Sequence, residues 1–225
     1  MGFTLKRLFS NPLTSIGLTI VLGFALVAIF APAIAPPEDP ANPFLIPHDG
    51  WRMTPSPPSE DHPFGTLQQQ YDIFYGVVWG TRSAFRIGLT VVGANLLIGI
   101  VLGSLAGFFG GIFDEIVMRI ADIFYAIPFL VMAMAMVVAL GRGLGSIVMV
   151  LIILGWPTYT RVIRSEILVV RNLDYISAAR AAGKSSLSII ARHVIPNSVY
   201  SVVIVASMQI GVTVLTAAAL SFLGL

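Results

Sequence analysis

Cysteine is absent from this 225-residue sequence, and charged residues are scarce, at 11% of the total. Without a thiol there is no disulfide framework, no thiolate metal site and no cysteine nucleophile. Soluble domains carry roughly 25% charged residues, so the charge content lies far outside that class. The few basic residues do not form a soluble basic face, which argues against nucleic acid as a partner.

Apolar residues dominate the sequence instead. They make up 56% of the chain, and the mean hydropathy is +0.89. Several apolar runs reach the roughly 20 residues that a helix needs to cross the bilayer core. The runs are continuous, whereas the strands of a membrane barrel alternate between apolar and polar residues. The sequence therefore predicts an all-α, polytopic membrane protein that lies in a lipid bilayer.

Five membrane helices are predicted. They run from Pro12 to about Ala35, Ala84 to Phe108, Ile120 to Leu140, Ser146 to Ile163 and Pro196 to Leu220. Pro128 predicts a kink in the third helix, and Gly155 with Pro157 predicts a break in the fourth. The first run is longer than the apolar core of a secretory signal, so we expect it to stay uncleaved.

The spans divide the chain into three regions. We expect residues 1–35 to form an N-terminal cytoplasmic tail with the first membrane helix, residues 36–83 an outer loop, and residues 84–225 the core. Nine prolines between Pro36 and Pro63 rule out regular structure in most of the loop. Aromatic residues favour membrane interfaces, and the stretch Tyr71–Thr81 is expected to form a short interfacial helix.

Glycines recur every four residues in the second span, at Gly99, Gly103 and Gly107. They share one helix face, where small residues let another helix backbone approach closely. This spacing predicts a tightly packed neighbour, although glycines are also simply common in membrane helices.

Three polar residues near the spans have local explanations. Arg119 and Asp122 stand three residues apart, which places them on one helix face as an expected ion pair. Gln209 is a lone amide within the last span, and we expect an interhelical hydrogen bond there rather than a substrate contact.

Basic residues are distributed unequally between the two sides of the predicted topology. With the N-terminus in the cytoplasm, nine Lys and Arg residues lie inside and four outside. The inner ones are Lys6, Arg7, Arg119, Arg161, Arg164, Arg171, Arg180, Lys184 and Arg192, and the outer ones are Arg52, Arg82, Arg86 and Arg142. This bias favours a cytoplasmic N-terminus, because inner loops attract positive charge.

A polar stretch from Arg161 to Pro196 interrupts the apolar runs and holds six of the thirteen Lys and Arg residues. Asp174 is expected to cap a short helix with a thin, alanine-rich surface, and Gly183 to end it. A second amphipathic segment then leads back to the membrane. A thin helix with basic ends fits a groove on a soluble partner. An interfacial helix on anionic lipid explains the same residues equally well.

Ala178, Ala179, Gly183 and Pro196 fall in register on a known pattern: Glu-Ala-Ala, three residues, Gly, nine residues, Ile, any residue, Leu-Pro. This pattern marks the cytoplasmic loop of ABC importer permeases. The sequence resembles their dipeptide, oligopeptide and nickel branch, in its C-type subunit. Ser177 stands where the family usually has Glu. Other matching segments are residues 11–13, 62–66, 107–111, 119–122, 126–128 and 220–225.

The resemblance implies the transmembrane domain of a type I ABC importer in the plasma (inner) membrane. It implies a homologous second permease subunit, cytoplasmic ATP-binding subunits and an extracytoplasmic substrate-binding protein. ATP hydrolysis would belong to a partner chain, so no catalytic residue, cofactor or metal site is expected in this one. The ATPase-coupling loop, at about residues 164–195, would act through Asp174, Tyr175, Ser177, Ala178, Ala179, Arg180, Ala182, Gly183 and Pro196.

Two segments depart from the family pattern. The family has a sixth membrane helix after the motif at residues 220–225, and the sequence ends there. We therefore expect a truncated chain with five visible helices and the sixth missing. Residues 67–72 read Leu-Gln-Gln-Gln-Tyr-Asp where the family usually has Asp-Glu-Leu-Gly-Arg-Asp. This leaves the substrate open, with peptides favoured over nickel or another small solute.

Other functional classes explain the sequence less well. A membrane enzyme needs converging catalytic groups, but His48 and His62 fall in the outer loop and His193 inside. A channel or secondary transporter that works without an ATPase often carries charged residues at mid-membrane depth, and these spans have almost none. The ATPase-independent transporter remains the alternative to an ATP-driven importer.

Overall fold

The computed structural model describes residues 11–224, whose regular structure is helical apart from two isolated β-bridges in the outer loop. The helices are α1 (Pro12–Ile34), α2 (Ile73–Phe109), α3 (Gly111–Ala126), α4 (Phe129–Leu140), α5 (Leu144–Val170), α6 (Asp174–Ala181), α7 (Ser186–Ile189) and α8 (Ile195–Phe222). A 3₁₀ turn, Gln68–Gln70, precedes α2, and a π turn, Ile190–Val194, joins α7 to α8. The all-α prediction is confirmed.

Four helices of the described chain are long and apolar enough to cross a membrane. They are α1, α2, α5 and the continuous run of α7, the π turn and α8, Ser186–Phe222. The bent pair of α3 and α4 passes the same test when its two helices are counted together. These findings agree with the predicted multi-pass membrane protein.

Three predicted features of the helices differ from the structure. The stretch Tyr71–Thr81 does not form a separate interfacial helix, because α2 runs unbroken through most of it. The break predicted at Gly155 and Pro157 is also wrong, since α5 continues through both residues. Membrane helices tolerate proline because neighbouring groups satisfy the freed backbone atoms. Pro128 marks a corner rather than a mild kink, as α3 and α4 meet at 93°.

The chain forms two compact units, and the boundary between them falls between Arg86 and Ile87, within α2. In the first unit, the Oδ1 atom of Asn11 caps α1 by accepting a hydrogen bond of 3.0 Å from the Leu13 N–H. The indole of Trp79 is buried and donates to the Ala35 carbonyl at 2.9 Å. This bond fixes the C-terminal end of α1 to the start of α2.

The outer loop has a buried polar centre at Gln70. Its side-chain amide donates to the Thr54 carbonyl at 2.6 Å, and its Oε1 accepts from the Ser56 hydroxyl at 2.7 Å. The residue is 5% exposed and has a positive φ of 59°. The glutamine segment that departs from the family pattern therefore organises the loop.

A second polar link in the outer loop centres on His62. Its Nδ1 lies 2.8 Å from an Asp72 carboxylate oxygen and its Nε2 lies 2.9 Å from an Asp49 oxygen. Hydrogen bonding to Asp72, followed by that to Asp49, raises the pKa of His62 above its ordinary value of 6.5. The imidazole thus links Asp49 to Asp72, two parts of the loop that are 23 residues apart in the chain.

The second unit is built on close packing between α2 and α5. A Cβ atom on Gly99 would lie 2.9 Å from the Tyr159 carbonyl carbon, and one on Gly103 would lie 2.7 Å from the Thr160 carbonyl oxygen. A Cβ on Gly107 would lie 3.0 Å from the side chain of Ile167. The neighbour predicted from the glycine spacing is confirmed, and it is α5.

Helix α8 and the polar stretch complete this core. Val202 and Ala206 of α8 are buried in the same cluster as Ile167 of α5. Ile176 of α6 and Ile189 of α7 belong to that cluster too, with 0% and 1% exposure. The stretch between the two long helices is therefore packed into the unit rather than detached from it.

Candidate coupling loop

Helix α6 ends in a glycine turn of the Schellman type. Gly183 has a φ of +74°, which favours glycine over residues with a Cβ atom. Its N–H donates to the Arg180 carbonyl at 3.0 Å, and the Lys184 N–H donates to the Ala179 carbonyl at 3.2 Å. These two bonds satisfy carbonyls that the helix end would otherwise leave open. The predicted bend at Gly183 is confirmed.

The start of α6 differs from the prediction. Leu173 occupies the capping position without a side-chain hydrogen bond, and Asp174 is the first helical residue. The predicted capping role of Asp174 is therefore wrong, although its negative charge still lies where the helix dipole favours it. Ser185 caps the following helix instead, accepting a hydrogen bond of 3.4 Å from the Ser188 N–H.

The predicted coupling residues divide between two faces of the loop. Ala179 is only 9% exposed and packs in the core cluster beside Ile176. The remaining ones are exposed: Asp174, Tyr175, Ser177, Ala178, Arg180, Ala182, Gly183 and Pro196. Of the two alanines that the sequence pairs, only Ala178 faces outward. We call the exposed residues of α6 together with Ala182 and Gly183 the outer face of the loop.

Two arginines connect the loop to the end of α2. The guanidinium of Arg171 donates to the Gly107 carbonyl at 2.7 Å. The guanidinium carbon of Arg180 lies 5.0 Å from the centre of the Phe108 ring, within cation–π range. Because Gly107 is also one of the close-packed glycines, the loop and the α2–α5 interface share a structural contact.

The two sides of the glycine turn are linked by polar side chains. The ammonium of Lys184 donates to Nε2 of His193 across 3.1 Å. An ammonium can only donate, so the ring nitrogen accepts this hydrogen bond. This contact joins the turn to the segment that leads into α8, and the sequence alone gave no sign of it.

Ion pairs at the same end of the unit connect α5 to α3. Arg164 forms a two-pronged pair with Asp114, in which Nη2 donates to Oδ2 at 2.5 Å. The side chains are 29% and 16% exposed. Arg161 pairs with Asp122. The predicted pair between Arg119 and Asp122 is wrong, since Arg119 lies 3.9 Å from Glu115 instead.

Within residues 11–224, no cluster of three or more His, Cys, Asp or Glu side chains is placed to hold a metal ion. The loop offers a thin helix, an exposed bend and three basic side chains whose charged groups contact neighbouring residues: Arg171, Arg180 and Lys184.

Residues 99–225 match the family model described as the binding-protein-dependent transport system inner membrane component. The chain belongs to this family. Residues 3–58 match a second model, the N-terminal transmembrane domain of oligopeptide transport permease C. Both regions agree with the resemblance seen in the sequence.

Several relatives can be aligned with this chain over nearly its whole length. The oligopeptide transport system permease protein of Bacillus subtilis (strain 168) is 36% identical over 219 residues, which is 97% of this chain and 70% of the relative. The dipeptide transport system permease protein of the same organism is 31% identical, over 98% of this chain and 67% of the relative. The probable D,D-dipeptide transport system permease protein of Escherichia coli (strain K12) is 37% identical, over 96% and 70%.

The whole candidate loop lies inside the region that matches the transport family. Sequence reasoning identified its bend and its exposed face, but it missed the anchoring contacts of Arg171, Arg180, Lys184 and Arg164. The partners of these side chains lie as much as 72 residues away in the chain. A basic residue in a polar stretch indicates only that the stretch lies on the cytoplasmic side. It does not indicate which distant residue the side chain contacts.

Proposed function

We propose that this chain is the C-type permease subunit of an ATP-driven importer that takes up di- or oligopeptides. The observation that supports the transport role is the packing of the coupling loop. Its outer face is thin and exposed, while Ile176 and Ala179 on its other side are buried in the core cluster. The choice of peptides rests on the names of the relatives, which are transporters of oligopeptides and dipeptides.

The outer face of the loop is the proposed docking surface for a cytoplasmic ATPase. Ser177 and Ala178 have short side chains and are exposed, so a groove on the partner can approach the helix backbone closely. Gly183 adds a bend without a side chain. Ala179 supports this surface from beneath rather than contacting the partner.

Movement of the docked ATPase would reach the membrane helices through the anchoring contacts. Ile176 and Ala179 hold α6 in the core cluster, and Arg171 and Arg180 hold the loop against α2. A packed core of this kind shifts as a unit instead of deforming. Differential binding of the ATPase to two arrangements of the loop would then bias the pathway between inward and outward opening.

The proposed assembly has four kinds of component besides lipid. They are this chain, a homologous second permease, ATP-binding subunits on the cytoplasmic side and a substrate-binding protein outside. We place the chain in the plasma (inner) membrane with its N-terminus in the cytoplasm. This orientation puts nine of the thirteen Lys and Arg residues on the cytoplasmic side. The docking loop then lies on the side where ATP is available.

Purification from native membranes in mild detergent tests the assembly. We expect an ATP-hydrolysing subunit and a second permease to accompany the chain, and vesicles that contain the complex to accumulate labelled dialanine only when ATP is inside. Uptake that is unchanged without ATP, with no ATPase in the purified material, would instead establish a channel or secondary transporter.

A further inference from the structure

Two arginines, Arg82 and Arg86, lie on one face of α2 within the first unit. They stand four residues apart, so their side chains leave the helix in similar directions, about 6 Å apart along its axis. Together with Pro43, Phe44 and Trp79 they line a cleft of about 420 Å³. They are also half of the four basic residues on the predicted outer side, where the usual distribution of positive charge does not account for them.

The cleft lies at the level where the hydrocarbon core of the bilayer begins. The Trp79 indole donates to the Ala35 carbonyl at the end of α1, a helix long and apolar enough to span the membrane. Residues 87–109 of α2, which follow Arg86 directly, contain no Asp, Glu, Lys or Arg, and these 23 residues exceed the roughly 20 that a span needs. Tryptophan and arginine both favour this boundary, where an apolar body can lie beside a wet, polar end.

Neither guanidinium is neutralised by an acidic side chain. Within residues 11–224, Arg82 and Arg86 form no ion pair and no side-chain hydrogen bond, and the cleft lining contains no Asp or Glu. The guanidinium carbon of Arg82 lies 5.4 Å from the centre of the Trp79 ring, a contact that orients the charge without cancelling it. The Arg86 side chain is exposed. Like charges four residues apart on a helix repel each other, so an anion shared between them would stabilise this face.

We propose that this cleft binds the phosphate of an anionic phospholipid of the phosphatidylglycerol type, with Arg82 and Arg86 donating hydrogen bonds to its oxygens. The fork of donors on a guanidinium matches the geometry of a phosphate. The apolar rings of Phe44 and Trp79, which meet edge to face at 5.3 Å, would cover the glycerol and the first carbons of the acyl chains.

The chemistry of the cleft favours this ligand over other anions. A zwitterionic headgroup would bring a cation beside the two arginines, so a headgroup with net negative charge binds better. A soluble carboxylate or phosphate would satisfy the arginines but would leave the two rings uncovered. Phospholipid is present on both sides of the membrane, so the inference does not depend on the orientation of the chain or on the proposed transport role.

Native mass spectrometry of the purified full chain in detergent micelles tests the site. The chain is titrated with palmitoyl-oleoyl phosphatidylglycerol or with the phosphatidylcholine of the same acyl chains, and a Kd is obtained for the first bound lipid. The main variant combines Arg82→Gln with Arg86→Gln. Its matched control combines Arg52→Gln with Arg142→Gln, which removes the same charge from two exposed residues outside the cleft. Arg86→Gln alone is a second variant, because this exposed side chain has no described contact whose loss would disturb folding.

We expect the wild-type chain to bind phosphatidylglycerol at least tenfold more tightly than phosphatidylcholine. The paired cleft variant should lose at least tenfold in affinity for phosphatidylglycerol and Arg86→Gln at least threefold, as expected for lost charge-assisted hydrogen bonds, with the control within twofold of wild type. Equal affinity for the two lipids in the wild-type chain, or equal affinity for phosphatidylglycerol in the cleft variant and the control, would overturn the inference.

Competition distinguishes a lipid from the other anions that two arginines could hold. Glycerol 3-phosphate and trialanine, added at the concentration of the lipid, should not displace bound phosphatidylglycerol. Displacement by either would show a site for soluble anions and would overturn the inference. The complex purified from native membranes should show the same lipid preference as the chain alone. Loss of that preference in the complex would show that a neighbouring subunit covers the cleft, and would overturn the inference too.

Discussion

Replacement of Gly103 by alanine tests the packing on which the second unit depends. Gly103 lies in α2 against α5, where an added Cβ atom would overlap Cγ2 of Ile163 and lie 2.7 Å from the Thr160 carbonyl oxygen. Carbon atoms pack favourably at about 3.5–4.0 Å, so the new methyl group cannot fit without movement. One obstacle is backbone, and the other belongs to a side chain that is 0% exposed.

The loss of stability in Gly103→Ala arises because neither the Ile163 side chain nor the Thr160 backbone leaves room for the new methyl group. Rotation of Ile163 is restricted because it is β-branched and fully buried. Relief therefore requires α2 and α5 to separate by about 1 Å, the difference between 2.7 Å and an ordinary contact of about 3.5 Å, and this also loosens the contacts of Gly99 and Gly107. Overpacking of this kind costs typically 1–3 kcal/mol. We expect a value at the upper end, about 3 kcal/mol.

Gly93→Ala is the matched control, since Gly93 lies in the same helix and an added Cβ would meet no atom within 4 Å. Alanine is a better helix former than glycine, so this variant should be neutral or more stable by up to about 1 kcal/mol. Both purified variants are unfolded with SDS in mixed micelles and followed by circular dichroism. Equal stability of the two variants would refute the close approach of α2 and α5.

Three further predictions concern other parts of the chain. Gly183→Asp should reduce ATPase co-purification and peptide uptake at least tenfold. Gly183→Asn is the control, because asparagine has the shape and backbone preference of aspartate without its charge, and it should retain more of both activities. Full activity of the aspartate variant would contradict docking at this bend. Arg164→Leu leaves the carboxylate of Asp114 unpaired and should lower stability to SDS by about 2–3 kcal/mol, and the double variant with Asp114→Leu should recover most of it; no recovery would contradict the ion pair. The raised pKa of His62 means that its contribution to loop stability is complete below pH 6.5 and is lost as the pH rises through the raised value. Protection of the outer loop from proteolysis should therefore fall with rising pH in the native chain and not in His62→Gln, and a flat profile in both would contradict the link.

Local and periodic features of the fold were predictable from the sequence. Glycines four residues apart must share a helix face, so a close neighbour followed from Gly99, Gly103 and Gly107 alone. Gly183 after an alanine-rich helix likewise predicted the turn that ends α6. The identity of the neighbour was not predictable, because α5 is apolar on several faces and its contact residues, such as Ile163, carry no distinguishing pattern.

Features that depend on distant residues or on exact geometry were not predictable. The pair of Arg164 and Asp114 joins residues 50 positions apart, and nothing local distinguishes this pairing from others. Arg82 interrupts the apolar pattern of α2, yet a charged residue does not interrupt the backbone hydrogen bonds of a helix, so the predicted interfacial helix merged with the span. For the coupling loop, the sequence identified the segment but could not show that Ala179 faces inward.

Cross-linking from the outer face of the loop tests the central claim most directly. Ala178→Cys introduces the chain's one thiol on the exposed side of α6, and a thiol-specific photo-cross-linker attached there can be activated in intact cells. The proposal predicts a covalent adduct that contains an ATP-hydrolysing subunit. Adducts with lipid alone, in cells that carry out normal uptake through this chain, would contradict it.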